Sequence, residues 1–203
     1  MIAVLDYGIG NLRSAEKALQ HVGGDARLVT DADQAEGAAA VVLPGVGAFG
    51  RCMEALRASG LDKVALKAID RNTPFLGICV GMQMLYEGSD EDPEVPGLGV
   101  LPGRIRLLAD DVKRPQMQWN RLALVRPDDP LLAGLGREPW VYFVHSYAAD
   151  PTDDVIATCD YGGTVTAAVG RDSLWATQFH PEKSSTVGLQ LLANFVAAVD
   201  RSG

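Results

Sequence analysis

Thr73-Pro74-Phe75-Leu76-Gly77-Ile78-Cys79-Val80-Gly81 decides the fold. A short apolar run, the shape of a buried strand, ends in Gly-x-Cys-x-Gly, and a helical pattern opens over residues 81–86. A strand that turns sharply into a helix through this motif is a nucleophile elbow, here in its cysteine form. The bend crowds neighbouring backbone, so small residues are needed beside Cys79, and glycine also tolerates unusual φ/ψ. The reading places the thiol at the start of a helix, where the positive end of the dipole favours a thiolate.

The same grammar extends outward. Ile2–Leu5 is a first apolar run, and Leu12, Ala15, Ala18, Leu19 and Val22 follow at helical spacing until Gly23-Gly24. Residues 26–29 form a second strand candidate. Residues 38–43 form a third, continuous and apolar as expected for a strand buried on both faces. Residues 53–69 read as helix with an interruption at Ser59-Gly60. Strand and helix alternate from residue 1 to about 88, which predicts an α/β fold: a doubly wound, mostly parallel sheet flanked by helices. From 98 to 178 the runs shorten (100–101, 105–108, 122–125, 140–144, 155–157, 164–169, 174–178) and are broken by Gly, Pro and Asp. These predict antiparallel strands joined to the parallel core. Residues 187–199 close as an amphipathic helix, and the acidic stretch 89–96 reads as an exposed loop.

The chain has 203 residues, which fits a single domain over 1–203. Its net charge of −8 disfavours nucleic acid and anionic membrane as partners. No stretch of 18 apolar residues is present, and the N-terminus lacks the basic region of a secretory signal. Three widely spaced cysteines give neither a disulfide framework nor metal-ligand pairing. A reducing, cytoplasmic setting is expected, with no metal and no cofactor.

A thiol nucleophile needs a base, and the base needs an orienter. Of the three histidines, His21 falls on the first helix. His145 lies in Phe143-Val144-His145-Ser146-Tyr147, and His180 in Gln178-Phe179-His180-Pro181-Glu182-Lys183. Pro181 biases His180 toward extended backbone, where residues i and i+2 share a side, so Glu182 is placed to support the imidazole. Pro44-Gly45-Val46-Gly47 follows a buried strand, where α/β sheets place ligands, and its bare N–H groups suit an oxyanion. Gln83 lies one helical turn beyond Cys79, and Glu91 lies in the acidic loop; either can contact a polar substrate. Cys52 and Cys159 have no such surroundings and read as structural.

Taken together these segments resemble the class I glutamine amidotransferases of the triad type. The likeness is strongest to the glutaminase subunits of histidine biosynthesis, carried also by Asp6-Tyr7-Gly8-Ile9-Gly10-Asn11-Leu12-Arg13-Ser14, Met117 with Trp119-Asn120, and His180-Pro181-Glu182-Lys183-Ser184. The resemblance implies a Cys79–His180–Glu182 triad and an oxyanion strand at Gly45-Val46-Gly47. It implies a glutamine site formed by Gly47, Gln83, Glu91, His145, Ser146 and Tyr147. It also implies a heterodimer with a cyclase subunit built on a (βα)8 barrel, facing Asn11, Met117, Trp119, Asn120, Tyr142 and Lys183. Ammonia freed at Cys79 would pass to the cyclase, which makes imidazole glycerol phosphate and aminoimidazole carboxamide ribotide.

The chain departs from that pattern in three places. Gln116 stands where His is usual, Gln118 where Gly is usual, and Ala148 where a second aromatic is common. Loss of glycine at 118 makes a change of backbone geometry the expectation there. The alternatives are the glutaminase subunit of pyridoxal phosphate synthase, a cysteine peptidase or related hydrolase on a similar sheet, and a catalytically silent docking subunit. The Asp-Tyr-Gly opening and His-Pro-Glu-Lys-Ser favour the histidine pathway over the first. The opening also fits the second poorly, and the intact triad argues against the third.

Overall fold

In the computed structural model, which describes residues 1–10 and 12–202, the apolar runs of the first half become neighbouring strands. The expected partner contact at Asn11 lies outside the described residues. In chain order the first half holds β1 (Ile2–Leu5), α1 (Arg13–His21), β2 (Ala26–Val29), β3 (Ala40–Gly45), α2 (Phe49–Ala58), α3 (Leu61–Asp70), β4 (Phe75–Cys79) and α4 (Val80–Gln83). The second half holds β5 (Gly88–Ser89), β6 (Arg104–Leu107), β7 (Gln116–Arg121), β8 (Ala123–Leu124), β9 (Trp140–His145), β10 (Tyr147–Ala149), β11 (Val155–Asp160), β12 (Thr164–Arg171), β13 (Leu174–Thr177) and α5 (Ser185–Ser202).

One eight-stranded sheet runs in the order β2-β1-β3-β4-β13-β12-β11-β8. Every residue of β1, β3 and β4 is buried, so their sequences are continuous apolar runs with no polar alternation. Helix α1 packs against α5, and α2 against α3. Gly60 separates α2 from α3 with φ of 74°, the left-handed backbone behind the Ser59-Gly60 interruption. The mostly parallel α/β fold read from the sequence is the fold observed.

Several local expectations are corrected. The helix after the elbow has four residues and ends at Gln83. Met84, Leu85 and Tyr86 are fully buried, but their carbonyls accept the amides of Leu98, Gly99, Val100 and Leu101, so the backbone turns away instead of coiling on. So short a helix sums few peptide dipoles, and the dipole argument for the thiolate loses its force. Residues 100–101 are not a strand. Strand β13 is not antiparallel to the core: it pairs parallel with β4 and antiparallel with β12. Strand β7 was not foreseen, because Gln116-Met117-Gln118-Trp119-Asn120-Arg121 lies half-exposed in a two-stranded ribbon with β9. Gln118 sits opposite Phe143 in regular pairing, so the missing glycine leaves this ribbon intact.

Candidate active site

The parallel direction of β13 builds the site. Strands β3, β4 and β13 are adjacent, and Gly45 pairs with Cys79 while Thr177 pairs with Ile78. Their carboxyl ends therefore lie side by side. They deliver the Gly45-Val46-Gly47 segment, Cys79, and the His180 segment to one rim, the ligand edge of an open α/β sheet.

Cys79 has φ 56° and ψ −114°, a conformation L-residues avoid and the signature of a strained elbow. A Cβ at Gly81 would collide with the Leu43 carbonyl oxygen, and one at Gly77 would lie 3.1 Å from the Gly81 carbonyl. Both glycines are thus demanded by close approach of β3 and α4 to the bend. The Cys79 thiol has the Val144 carbonyl at 4.0 Å, and Gln178 Nε2 lies 3.8 Å from its sulfur.

His180 is 2% exposed, and its Nδ1 lies 2.7 Å from Glu182 Oε1. The pairing is as expected, but its local cause differs. Residues Pro181–Lys183 form a 3-10 turn, so Glu182 folds back under the ring instead of sharing an extended face. The segment is tied to β9: His180 N–H donates to the Tyr142 carbonyl, and Tyr142 N–H donates to Ser184 Oγ. Burial works against the imidazolium, but Cys79 and Glu182 outweigh it and raise His180 to about 9.

Beneath the glycine-rich strand, Tyr7 O–H donates to the Pro44 carbonyl at 2.7 Å, and the Cys52 thiol donates to the Val46 carbonyl at 3.3 Å. The Gly47 N–H, on the far side of that same trans peptide, points away from Cys52. Cys52, read as merely structural, therefore braces this strand.

A cleft of ≈ 370 Å³ joins these parts, lined by Val46, Gly47, Cys79, Gln83, Glu91, His145, Ser146, Tyr147, His180 and Lys183 with Val80, Pro115 and Val144. Gly45 and Glu182 stand behind the lining. Gln83 spends its side-chain N–H groups on the Tyr147 carbonyl and Gln178 Oε1, so it braces the wall. Glu91 Oε2 accepts from Phe49 N–H, and Asp92 from Gly50 N–H, so the acidic loop caps the start of α2. Gln178 received no role from the sequence, although its position two before His180 on an extended segment was the available signal.

Of the expected partner-facing residues, Met117, Trp119 and Tyr142 share one face of the β7–β9 ribbon; Met117 is 61% and Trp119 44% exposed. Trp140 extends that face opposite Arg121 and was missed. Asn120 falls on the other face and donates to the Asp160 carbonyl. Lys183 is exposed at the cleft.

A cysteine at a strained strand end, a buried His–carboxylate pair beside it and a glycine-rich strand across the cleft form the constellation of a thiol-dependent acyl transfer. The glutamine amidotransferase class-I model matches residues 3–199, and the chain belongs to that family. It is 49% identical over 205 residues to the imidazole glycerol phosphate synthase subunit HisH of Synechococcus sp. (strain JA-3-3Ab), covering 98% of this chain and 94% of that protein. It is 48% identical to the subunit of the same name from Methanothermobacter thermautotrophicus, covering 98% and 99%. Among solved structures, a glutamine amidotransferase superposes with TM-score 0.77 at 23% identity over 98% of both chains. PurLQS from Thermotoga maritima superposes at 0.74 with 20% identity, over 98% of this chain and 97% of that one.

Glu182→Gln should lower glutamine hydrolysis by roughly 10²–10⁴-fold, since an orienting carboxylate is lost while the fold persists. It should also change how stability depends on pH. A group whose folded pKa is raised adds stability that is fully present below its unfolded pKa, about 6.5 for His. That stability is lost as pH rises through the folded value, about 9. The wild-type advantage over Glu182→Gln in urea unfolding is expected to be full at pH 6 and to fade through pH 9. An advantage that grew with pH would contradict the charge assigned to His180.

Proposed function

We propose that this chain is the glutaminase subunit of an imidazole glycerol phosphate synthase, with residues 1–203 acting as one amidotransferase domain in the cytoplasm. The observation that carries the reading is the convergence of Cys79, His180 and Glu182 on one rim of the sheet, in a chain nearly half identical end to end to proteins of that name. Among the described residues no helix is long and apolar enough to cross a membrane.

The thiol proton already rests on His180 before substrate arrives, in keeping with its raised basicity, while Glu182 holds the imidazole by its other nitrogen. The Cys79 sulfur attacks the carboxamide carbon of glutamine, and backbone N–H groups of the Val46-Gly47 segment receive the oxyanion. His180 returns the proton to the leaving nitrogen, ammonia departs, and a glutamyl thioester remains. Water, activated by His180, releases glutamate. Gln83 and Glu91 shape the end of the cleft that holds the amino-acid portion of the substrate, with Ser146 and Tyr147 along its side.

The exposed face of Met117, Trp119, Tyr142 and Trp140 borders this cleft and receives the cyclase barrel, so that ammonia passes on without entering bulk water. Burying such a face matches what interface cores require. The test is glutamate release by the purified chain, alone and mixed with a (βα)8-barrel cyclase subunit and its nucleotide ligand. Slow hydrolysis alone and acceleration of roughly 10²-fold or more in the complex are expected, because the partner closes the cleft and aligns the oxyanion strand. Full hydrolysis without a partner, or no complex on co-purification, would contradict the reading.

A further inference from the structure

We propose that Gln116 is a positioning residue for the glutamine site: it fixes His145 as the Nδ1–H tautomer in a hydrogen-bond chain running from Cys159 to the carbonyl of Tyr147. Its kinetic consequence rests on the glutaminase reading; its hydrogen-bond chemistry does not.

Gln116 is fully buried on β7, directly opposite His145 on β9. His145 Nδ1 lies 2.8 Å from the Tyr147 carbonyl oxygen. A carbonyl only accepts, so Nδ1 carries the hydrogen. Burial drives His145 down to about 4; the Tyr147 carbonyl pulls the other way and His180 reinforces the fall. The ring is therefore neutral, and Nε2 presents a lone pair. The titratable groups facing it are His180, from the segment after β13, and the Cys159 thiol on β11, beyond Gln116. Neither supplies a negative charge to hold an imidazolium.

The Gln116 carboxamide meets that lone pair at 2.9 Å. With its oxygen toward the ring, two acceptors would face each other, and its own Nε2 would be buried without a partner. A half-turn of the amide exchanges oxygen and nitrogen without displacing the side chain. Gln116 Nε2–H then donates to His145 Nε2, and Oε1 turns toward the Cys159 thiol. Burial pushes that thiol up to about 11; the smaller lowering by Gln116 belongs to the unturned amide, whose N–H faces the sulfur, so beside Oε1 the thiol remains protonated and donates. The chain is complete: Cys159 S–H to Gln116, Gln116 N–H to His145, His145 N–H to Tyr147.

The Tyr147 carbonyl also accepts from Gln83 Nε2 at 3.1 Å. His145 and Gln83 thus pin the Ser146–Tyr147 wall from two sides. The anchor stands on the strand that exposes Met117 and Trp119, so a partner bearing on that face bears on the wall.

Long-range ¹H–¹⁵N correlation of the full chain with labelled histidine tests this. Wild-type His145 is expected to show the neutral Nδ1–H pattern down to about pH 5, below the ordinary histidine value of about 6.5. Gln116→Glu sets a carboxylate against Nε2 and should turn His145 into imidazolium at pH 7. Gln116→Leu should keep the ring neutral but free the wall, raising KM for glutamine about 5-fold or more while kcat changes less than about 2-fold. An Nε2–H pattern in the wild type, titration near 6.5, or an unchanged KM in Gln116→Leu would overturn the proposal. Absence of any glutaminase activity would strike the function reading alone, because the tautomer is read without substrate.

Discussion

Cys79→Ala is expected to abolish glutamine hydrolysis, by about 10⁴-fold or more, while synthesis fed with free ammonia by the complex survives. The asymmetry follows from where the sulfur stands. In the proposed mechanism it is the atom that forms the thioester, and neither of two nearby groups replaces it: the Gln178 amide beside it is no nucleophile, and Cys52 is committed to the Val46 carbonyl beneath the opposite strand. Alanine has the same Cβ as cysteine and should accept the positive-φ backbone that Cys79 adopts, so the rim should retain its shape and the partner should still bind. Glutamate release and ammonia-dependent product formation, measured on one preparation, separate the two halves of the reaction. Persistent glutamine hydrolysis would remove Cys79 from the role of nucleophile. Loss of both activities would show that its removal disturbs the rim.

Gly81→Ala should be among the most damaging single methyl additions at the described glycines. Its added Cβ would meet the Leu43 carbonyl oxygen, with the Leu43 carbonyl carbon at 2.8 Å and Pro44 backbone beyond. These atoms belong to the fully buried β3, which is paired on both edges and cannot give way as a flexible side chain would. A loss of about 3 kcal/mol or more is expected, as for severe overpacking of a core. For a chain of this size that corresponds to a melting point lower by roughly 6–12 °C. Thermal unfolding followed by circular dichroism measures it. A shift within about 2 °C would mean that β3 and α4 approach less closely than the elbow requires.

The largest legible elements were those whose evidence is local. A run such as Phe75–Cys79 between turn signals reads as a doubly buried strand, and the Gly-x-Cys-x-Gly at its end reads as a sharp bend with close neighbours. Cys79, His180 and Glu182 could be brought together as a candidate site because each sits in a short motif, and the structure pairs His180 with Glu182. Less legible was anything that depends on how distant segments meet. Glu182 reaches His180 through a 3-10 turn that proline permits but i+2 spacing does not specify. The four-residue α4 stops because carbonyls of 84–86 find amides of 98–101, a long-range pairing with no periodicity to announce it. Strand β7 is polar along most of its length, so its partner on β9 decides its form.

By itself, then, the sequence determined the parallel half of the sheet, the strained cysteine and the chemical class of the residues that serve it, because burial and bond geometry act there over a few adjacent residues. The tertiary structure alone decided that β13 runs parallel beside β4, that Asn120 turns away from Met117 and Trp119, and that Gln116 stands between His145 and Cys159. Those outcomes follow from the pairing of strands far apart in the chain. Their free energy comes from contacts that no local pattern encodes, since strand direction and facing are fixed only when both partners are in place.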